Sequence, residues 1–201
     1  MNDQARFDRA VAAIDAANSE DPHHLVVRGV SQPKELAHAK LMTEWVLRLD
    51  PAADEAQLLA ARAHHLRRWS IPRASYPDGR AGYLRWRIAL RRQHATEVMV
   101  LLEEVGYDAE TIERVRAIVS KEALRFADAT PDPATAAHED ALCLVFLETQ
   151  LAPTADRLGD DKMIEVIRKT AAKMSPRALG LAAELPLSDA GRSLLARALA
   201  G

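Results

Sequence analysis

Four ionisable residues lie where the helical period calls for apolar side chains. His38 shares a stripe with Leu41, Met42 and Trp45. His65 falls seven residues beyond Leu58 and four before Trp69, and His94 falls four before Val98 and seven before Leu101. Asp140 is four after Ala136 and four before Leu144. A helix repeats its face every three or four residues, so these four, on four different helices, are expected to point toward one interior. His64 instead shares a face with Gln57, Ala61 and Arg68, which is more polar.

Buried polar groups are costly unless paired or hydrogen-bonded. One account is structural, with each histidine bound to a carbonyl and Asp140 to an arginine. The other is chemical. Three imidazoles and one carboxylate can hold a divalent metal and leave positions for water and substrate. The expected metal set is His38, His65, His94 and Asp140, and the donor types suit Zn, Mn, Fe or Ni better than Mg. Such an ion lowers the pKa of bound water to roughly 7, which would support hydrolysis. Glu44 or Glu139 would then be the candidate general base.

A second concentration of chemistry follows the histidine pair. Arg62, Arg67, Arg68, Arg73, Arg80, Arg85, Arg87, Arg91 and Arg92 fall in one short region, with Trp69, Tyr76, Tyr83 and Trp86 among them. Arginine binds phosphate and carboxylate in bidentate fashion, and aromatic rings beside it can stack. Arg68, Arg73, Tyr83, Trp86 and Arg87 are the expected contacts for a small phosphorylated ligand. The alternative is a solvated charged face balanced by acids elsewhere.

The elements that must position these groups are helical. The chain has 201 residues, 48% apolar, with only 8 glycines, which favours helices in one all-α domain. Helices are expected over 6–18, 33–48, 54–69, 83–105, from Asp108 to about 126, 135–151, 160–174, 176–184 and 188–199. A short extended piece is expected at Leu25–Val27, a punctuated loop at Ile71–Gly82 and a linker at Thr130–Pro133. The formal charge of −2 gives no global argument for nucleic acid or an anionic membrane, so nucleic-acid binding through the Arg-rich region, which local charge alone supports, ranks third among the readings. A single cysteine, Cys143, excludes an internal disulfide and suits a reducing, cytoplasmic setting. The polar start MNDQARFDRA predicts no signal peptide, and no apolar run reaches the length of a membrane span. A homo-oligomer is compatible with all of this.

Several segments carry a resemblance to a known family. PKELAHAKLMTEWVLRLDP, AARAHHLRRWSIPRASYP, GRAGYLRWR, HEDALCLVFLE and IRKTAAKMSP resemble the family catalogued as domain of unknown function 4202. HLRRWSIPR followed by GRAGYLRWR is the most specific part. The resemblance implies no settled activity. It picks out His65 over His64, together with Arg68, Trp69, Arg73, Tyr83, Trp86, Arg87, His94 and Asp140. A more partial resemblance is to the HD-domain phosphohydrolases, which are all-helical with a first His, a His-Asp pair at a helix end and a later Asp. His38 in HAKLMTEWVLRLDP, the pair in AARAHHLRRW and Asp140 in HEDALCLVFLE are similar to those positions. The chain departs from them at the pair, which reads His64-His65 with no aspartate. That resemblance implies an HD-like bundle and metal-dependent hydrolysis of a nucleotide or other small phosphate ester. The alternative is a module that kept the Arg/aromatic pocket and binds a nucleotide or other anion without turnover.

Overall fold

The computed structural model describes residues 3–121 and 132–200. The described chain runs α1 (Asp3–Ser19), β1 (His24–Val27), β2 (Val30–Pro33), α2 (Lys34–Leu49), α3 (Glu55–Ala63), α4 (Gly79–Val105), α5 (Ala109–Ser120), α6 (Pro133–Leu158), α7 (Asp160–Ala171), α8 (Pro176–Ala183) and α9 (Asp189–Leu199). It is an all-α fold with one small hairpin. The expectations for Thr130, Pro131 and the stretch to residue 126 lie outside the described residues.

Helix ends follow local chemistry. Asp54 and Gln57 form a capping box at α3, and Asp108, Asp132, Ser175 and Ser188 accept backbone N–H bonds at the starts of α5, α6, α8 and α9. Gly106, at φ 93°, closes α4 in the left-handed conformation that glycine adopts without steric cost. The hairpin extends the expected strand. Val27 pairs with Val30 across Arg28-Gly29, whose φ values of 52° and 82° suit a two-residue turn.

Two apolar clusters make the core. The first joins Leu41, Met42 and Trp45 of α2 to Ala141, Leu144 and Leu147 of α6 and to Met163 and Ile167 of α7, with α8 and α9 closing over it. The second joins Ile14 of α1 and Leu59 of α3 to Val98 and Leu102 of α4 and Val115 and Ile118 of α5. A polar clasp ties the hairpin to the first cluster. Arg28 binds Glu44 through both guanidinium nitrogens (3.1 and 2.9 Å) and reaches Glu148 (3.3 Å), which also accepts from Trp45 Nε1 (2.8 Å). Between the second cluster's helices, Arg62 of α3 grips Asp15 of α1 through two bonds of 2.7 and 2.6 Å.

The sharpest departure from the sequence pattern comes at the end of α3. The expected helix ran to Trp69, but α3 ends at Ala63 and the chain tightens into three-residue turns, Leu66 N to Ala63 O and Arg68 N to His65 O (both 3.0 Å). Arg67 then takes a left-handed φ of 49°. That costly conformation is held from both sides: Asn18 Oδ1 accepts from its N–H (3.1 Å) and Gln93 Nε2 donates to its carbonyl (3.3 Å).

The following loop is packed tightly onto α4. A Cβ at Gly82 would lie 1.8 Å from the Pro77 carbonyl oxygen. Gly82→Ala is therefore expected to displace the 71–78 loop and to destabilise the protein by about 2 kcal/mol or more, as overpacked buried sites do. Denaturant unfolding checks this, and wild-type stability in the variant would contradict the packing described.

Candidate metal centre

Five of the chain's seven histidines meet between the two apolar clusters. His38 comes from α2, His64 and His65 from the turn after α3, His94 from α4 and His138 from α6. One ring nitrogen from each of His38, His64 and His65 lies within 4.8 Å of the others. The His38 and His65 rings stack with centroids 4.0 Å apart, and His64 lies 4.6 Å from His65. His94 stands 5.8 Å from His65 on one side, and His138 stands 4.6 Å from His64 on the other. All are buried except His65, which is half-buried.

Hydrogen bonds select which nitrogen each ring can offer. Glu35, only 4% exposed, meets His65 Nδ1 at 3.1 Å and so leaves Nε2 as the ligand nitrogen. His64 Nδ1 shares a 2.7 Å bond with His138 Nε2. His94 Nδ1 donates to the Leu66 carbonyl (2.8 Å), which leaves its Nε2 with the lone pair. That Nε2 and His38 Nε2 are buried with no partner. Buried imidazole nitrogens are costly in that state, and a bound cation would satisfy them.

The cluster is neutral near pH 7. Burial lowers the pKa of His38 to about 3, His94 to about 4 and His138 to about 3, and it lowers His64 and His65 well below the ordinary value. Neighbouring Arg68 and Lys121 add to the depression by repelling a positive ring. Neutral imidazole is the metal-binding form. Glu35 shifts the other way, pushed up to about 7 by burial against the opposing pull of Arg68.

The rest of the expected site divides. A cavity of about 360 Å³ opens beside the histidines, between α4 on one side and α6 and α7 on the other. Arg68, Tyr83 and Arg87 line it with His64, His65 and His94. The Arg68 guanidinium lies 4.7 Å over the Trp86 ring, and Trp86 is anchored by Nε1 donating to the Ile71 carbonyl (2.8 Å). Arg87 lies 5.8 Å from the Tyr83 ring. Glu139 also lines the cavity, in an ion pair with the buried Lys121.

Three expectations need correction. Asp140 is buried but turned away from the histidines: its carboxylate accepts from Ser175 N (2.9 Å) and Oγ, and so anchors the start of α8. Glu44 is committed to Arg28 of the hairpin. Arg73 donates to the carbonyls of Tyr76 (2.8 Å) and Pro77 (3.0 Å), so it staples its own loop and does not line the cavity. His64 joins His65 inside because α3 stops before it, so a face extrapolated along the helix no longer applies. Two participants went unnoticed in the sequence. His138 lies three before Ala141 and seven before Val145 on an inward face that the helical period reveals. Glu35 lies three before His38, but an acid in a helix's first turn reads equally as a partner for the helix dipole.

The titration shifts predict an acid-labile fold in the metal-free protein. The histidines are depressed when folded, so the unfolded chain takes up their protons first. Their contribution is present above pH ~6.5 and is lost as pH falls from there toward about 4. Glu35, raised when folded, opposes this between pH 7 and its unfolded range, but it is one group against five. Denaturant unfolding between pH 8 and pH 4 should show stability falling below pH ~6.5, with a shallower slope in His138→Gln. A flat profile would contradict the neutral buried cluster.

The donor chemistry fits a borderline transition metal. It is all-imidazole at the core, with a carboxylate behind one ring and a second imidazole behind another. No helix among the described residues is long and apolar enough to cross a membrane. No curated protein and no solved structure matches the chain. A family model does, over residues 8–195, and its histidine pair, Arg/aromatic loop and α6 segment all fall inside the match. The chain belongs to the domain of unknown function family DUF4202.

Proposed function

We propose that this chain is a metal-dependent phosphohydrolase acting on a small phosphorylated molecule. The observation that carries the reading is the meeting of His38, His64 and His65 nitrogens within 4.8 Å at the wall of a cavity that also presents Arg68 and Arg87. His38, His64 and His65 would hold the metal, Zn, Mn, Fe or Ni, with His94 Nε2 next to them. A divalent ion bound there supplies Lewis acidity for attack on the phosphate ester. Glu35 orients His65 through Nδ1, and His138 orients His64 in the same way. Arg68 and Arg87 bind the phosphate, and Trp86 fixes the plane of the Arg68 guanidinium.

One observation favours a second reading, in which the pocket binds an anion without turnover. Glu139 is the one carboxylate among the described residues that line the cavity, and it is held by Lys121. A general base would have to be freed from that pair.

The test is elemental analysis followed by a phosphate-ester screen on the tag-free protein. Near-stoichiometric metal is expected in the wild type and in Asp140→Asn, with a large loss in a His64→Ala/His65→Ala double variant. Chelation should abolish turnover, and Arg87→Ala should raise KM roughly tenfold, the effect of losing one charge-assisted hydrogen bond of about 1.5 kcal/mol. Full metal occupancy in the double variant would overturn the metal reading. Ligand-dependent thermal stabilisation without turnover would establish the binding module instead.

A further inference from the structure

The cavity carries more positive charge than a single phosphate calls for. Among the described residues, Arg68, Arg87, Arg91, Lys121 and Lys173 line it with a single carboxylate, that of Glu139. These cations come from separate parts of the chain: the turn after α3, α4, the cap of α5 and the turn after α7. Lys121 is buried and spends its charge on Glu139. Arg68 lies 4.0 Å from Glu35. Arg87 of α4 and Lys173, two residues past the end of α7, have no carboxylate partner among the described residues, and both line the cavity. Like charges gathered around a common space repel one another, and an anion in that space relieves the repulsion. Spread over opposite walls, the charges match an anion that is itself extended.

The remaining wall is apolar. Leu90 of α4, Leu142 and Phe146 of α6 and Val166 of α7 line the same cavity. His94, 3% exposed and lining the cavity with an unpartnered Nε2, marks the end nearest the histidines as built for a ligand.

We infer that the cavity takes an organic anion bearing at least two phosphate groups, with its uncharged body against Leu142, Phe146 and Val166. The phosphates span from Arg68 and Arg87, beside the histidines, toward Lys173. The inference rests on the proposed function only in treating this cavity as the substrate site. A monophosphate carries a charge of about −1.5 to −2 near pH 7 and engages one side of the cavity. A second phosphate reaches the opposite wall and adds charge-assisted hydrogen bonds that orthophosphate cannot make.

Calorimetric titration of the full chain, stripped of metal and held at fixed ionic strength, tests this. The probes are orthophosphate, pyrophosphate and adenosine diphosphate. Metal-free protein is used because pyrophosphate is itself a chelator. Pyrophosphate is expected to bind at least about tenfold more tightly than orthophosphate, and adenosine diphosphate more tightly again. Lys173→Ala, an exposed change that leaves both apolar clusters intact, should bring the pyrophosphate preference down toward unity and leave orthophosphate binding unchanged. Equal affinities for orthophosphate and pyrophosphate, or no binding of either, would overturn the inference. So would a preference that survives both Lys173→Ala and Arg87→Ala, because the anion would then sit elsewhere. Metal content measured on untreated protein separates the two readings. Polyphosphate discrimination in a protein that takes up no metal sustains the ligand class and removes the hydrolase, and metal uptake without discrimination does the reverse.

Discussion

The structure depends on burying five imidazoles side by side without protonating them. A charged ring in that interior would lose its hydration and face other rings at 4.0–4.6 Å. Burial keeps the rings neutral, and three of them have one nitrogen partnered: by the Leu66 carbonyl at His94, a second imidazole at His64 and a carboxyl group at His65. That last partner is itself shifted up to about 7 by burial. Among the described residues, the Nε2 nitrogens of His38 and His94 are buried with no hydrogen-bond partner. Neutral imidazoles gathered this way are of the form that could hold a cation.

The cluster draws its residues from elements of both apolar cores. α2 and α6 carry the first core and bring His38 and His138, while α4 carries the second and brings His94. α3 serves both, with Ala61 in the first core and Leu59, Ala60 and Ala63 in the second, and it delivers His64 and His65 where it ends. The left-handed Arg67 follows four residues past its end. Its backbone is tied to α1 by Asn18 and to α4 by Gln93, so a strained residue is stabilised by the same helices that frame the site. A continuous helix to Trp69 would have turned His64 to one face and His65 to another.

Most of the fold was legible because its signals are local. Asp108, Gly106, Ser175-Pro176 and Ser188 mark helix ends through the backbone groups they satisfy or the φ they permit, and the structure uses each of them there. α6 running through Pro153 to Leu158, past the expected end at Leu151, shows where a local signal was outweighed. The site was legible in part. Helical periodicity brought out His38 and His94, since both lie well inside long helices. It misjudged Asp140, because an inward face says that a residue is buried and not which neighbour it meets, and Ser175 arrives from 35 residues away. It also set His64 aside, since a phase argument holds only while the helix does. Arg73 shows the same limit for loops: its type suited an anion, and its backbone partners three and four residues on could not be read from composition.

The cations and the histidines are one electrostatic device. Arg68 disfavours a proton on His38, His65 and His94, and Lys121 does so on His38, His64 and His138. The cations beside the cavity therefore also favour the imidazoles in their neutral form, the one that can bind a metal. The two tasks would compete if the same charges had to be neutralised before either ligand bound. They do not compete here, because Lys121 has its own counter-ion in Glu139 and Arg68 has a carboxyl group at 4.0 Å that burial inclines toward protonation. Arg87 and Lys173, which lack such partners among the described residues, lie on the walls where an anion would enter. Arg68 serves on both counts, since it disfavours protonated histidines and lines the cavity with Arg87 and Lys173.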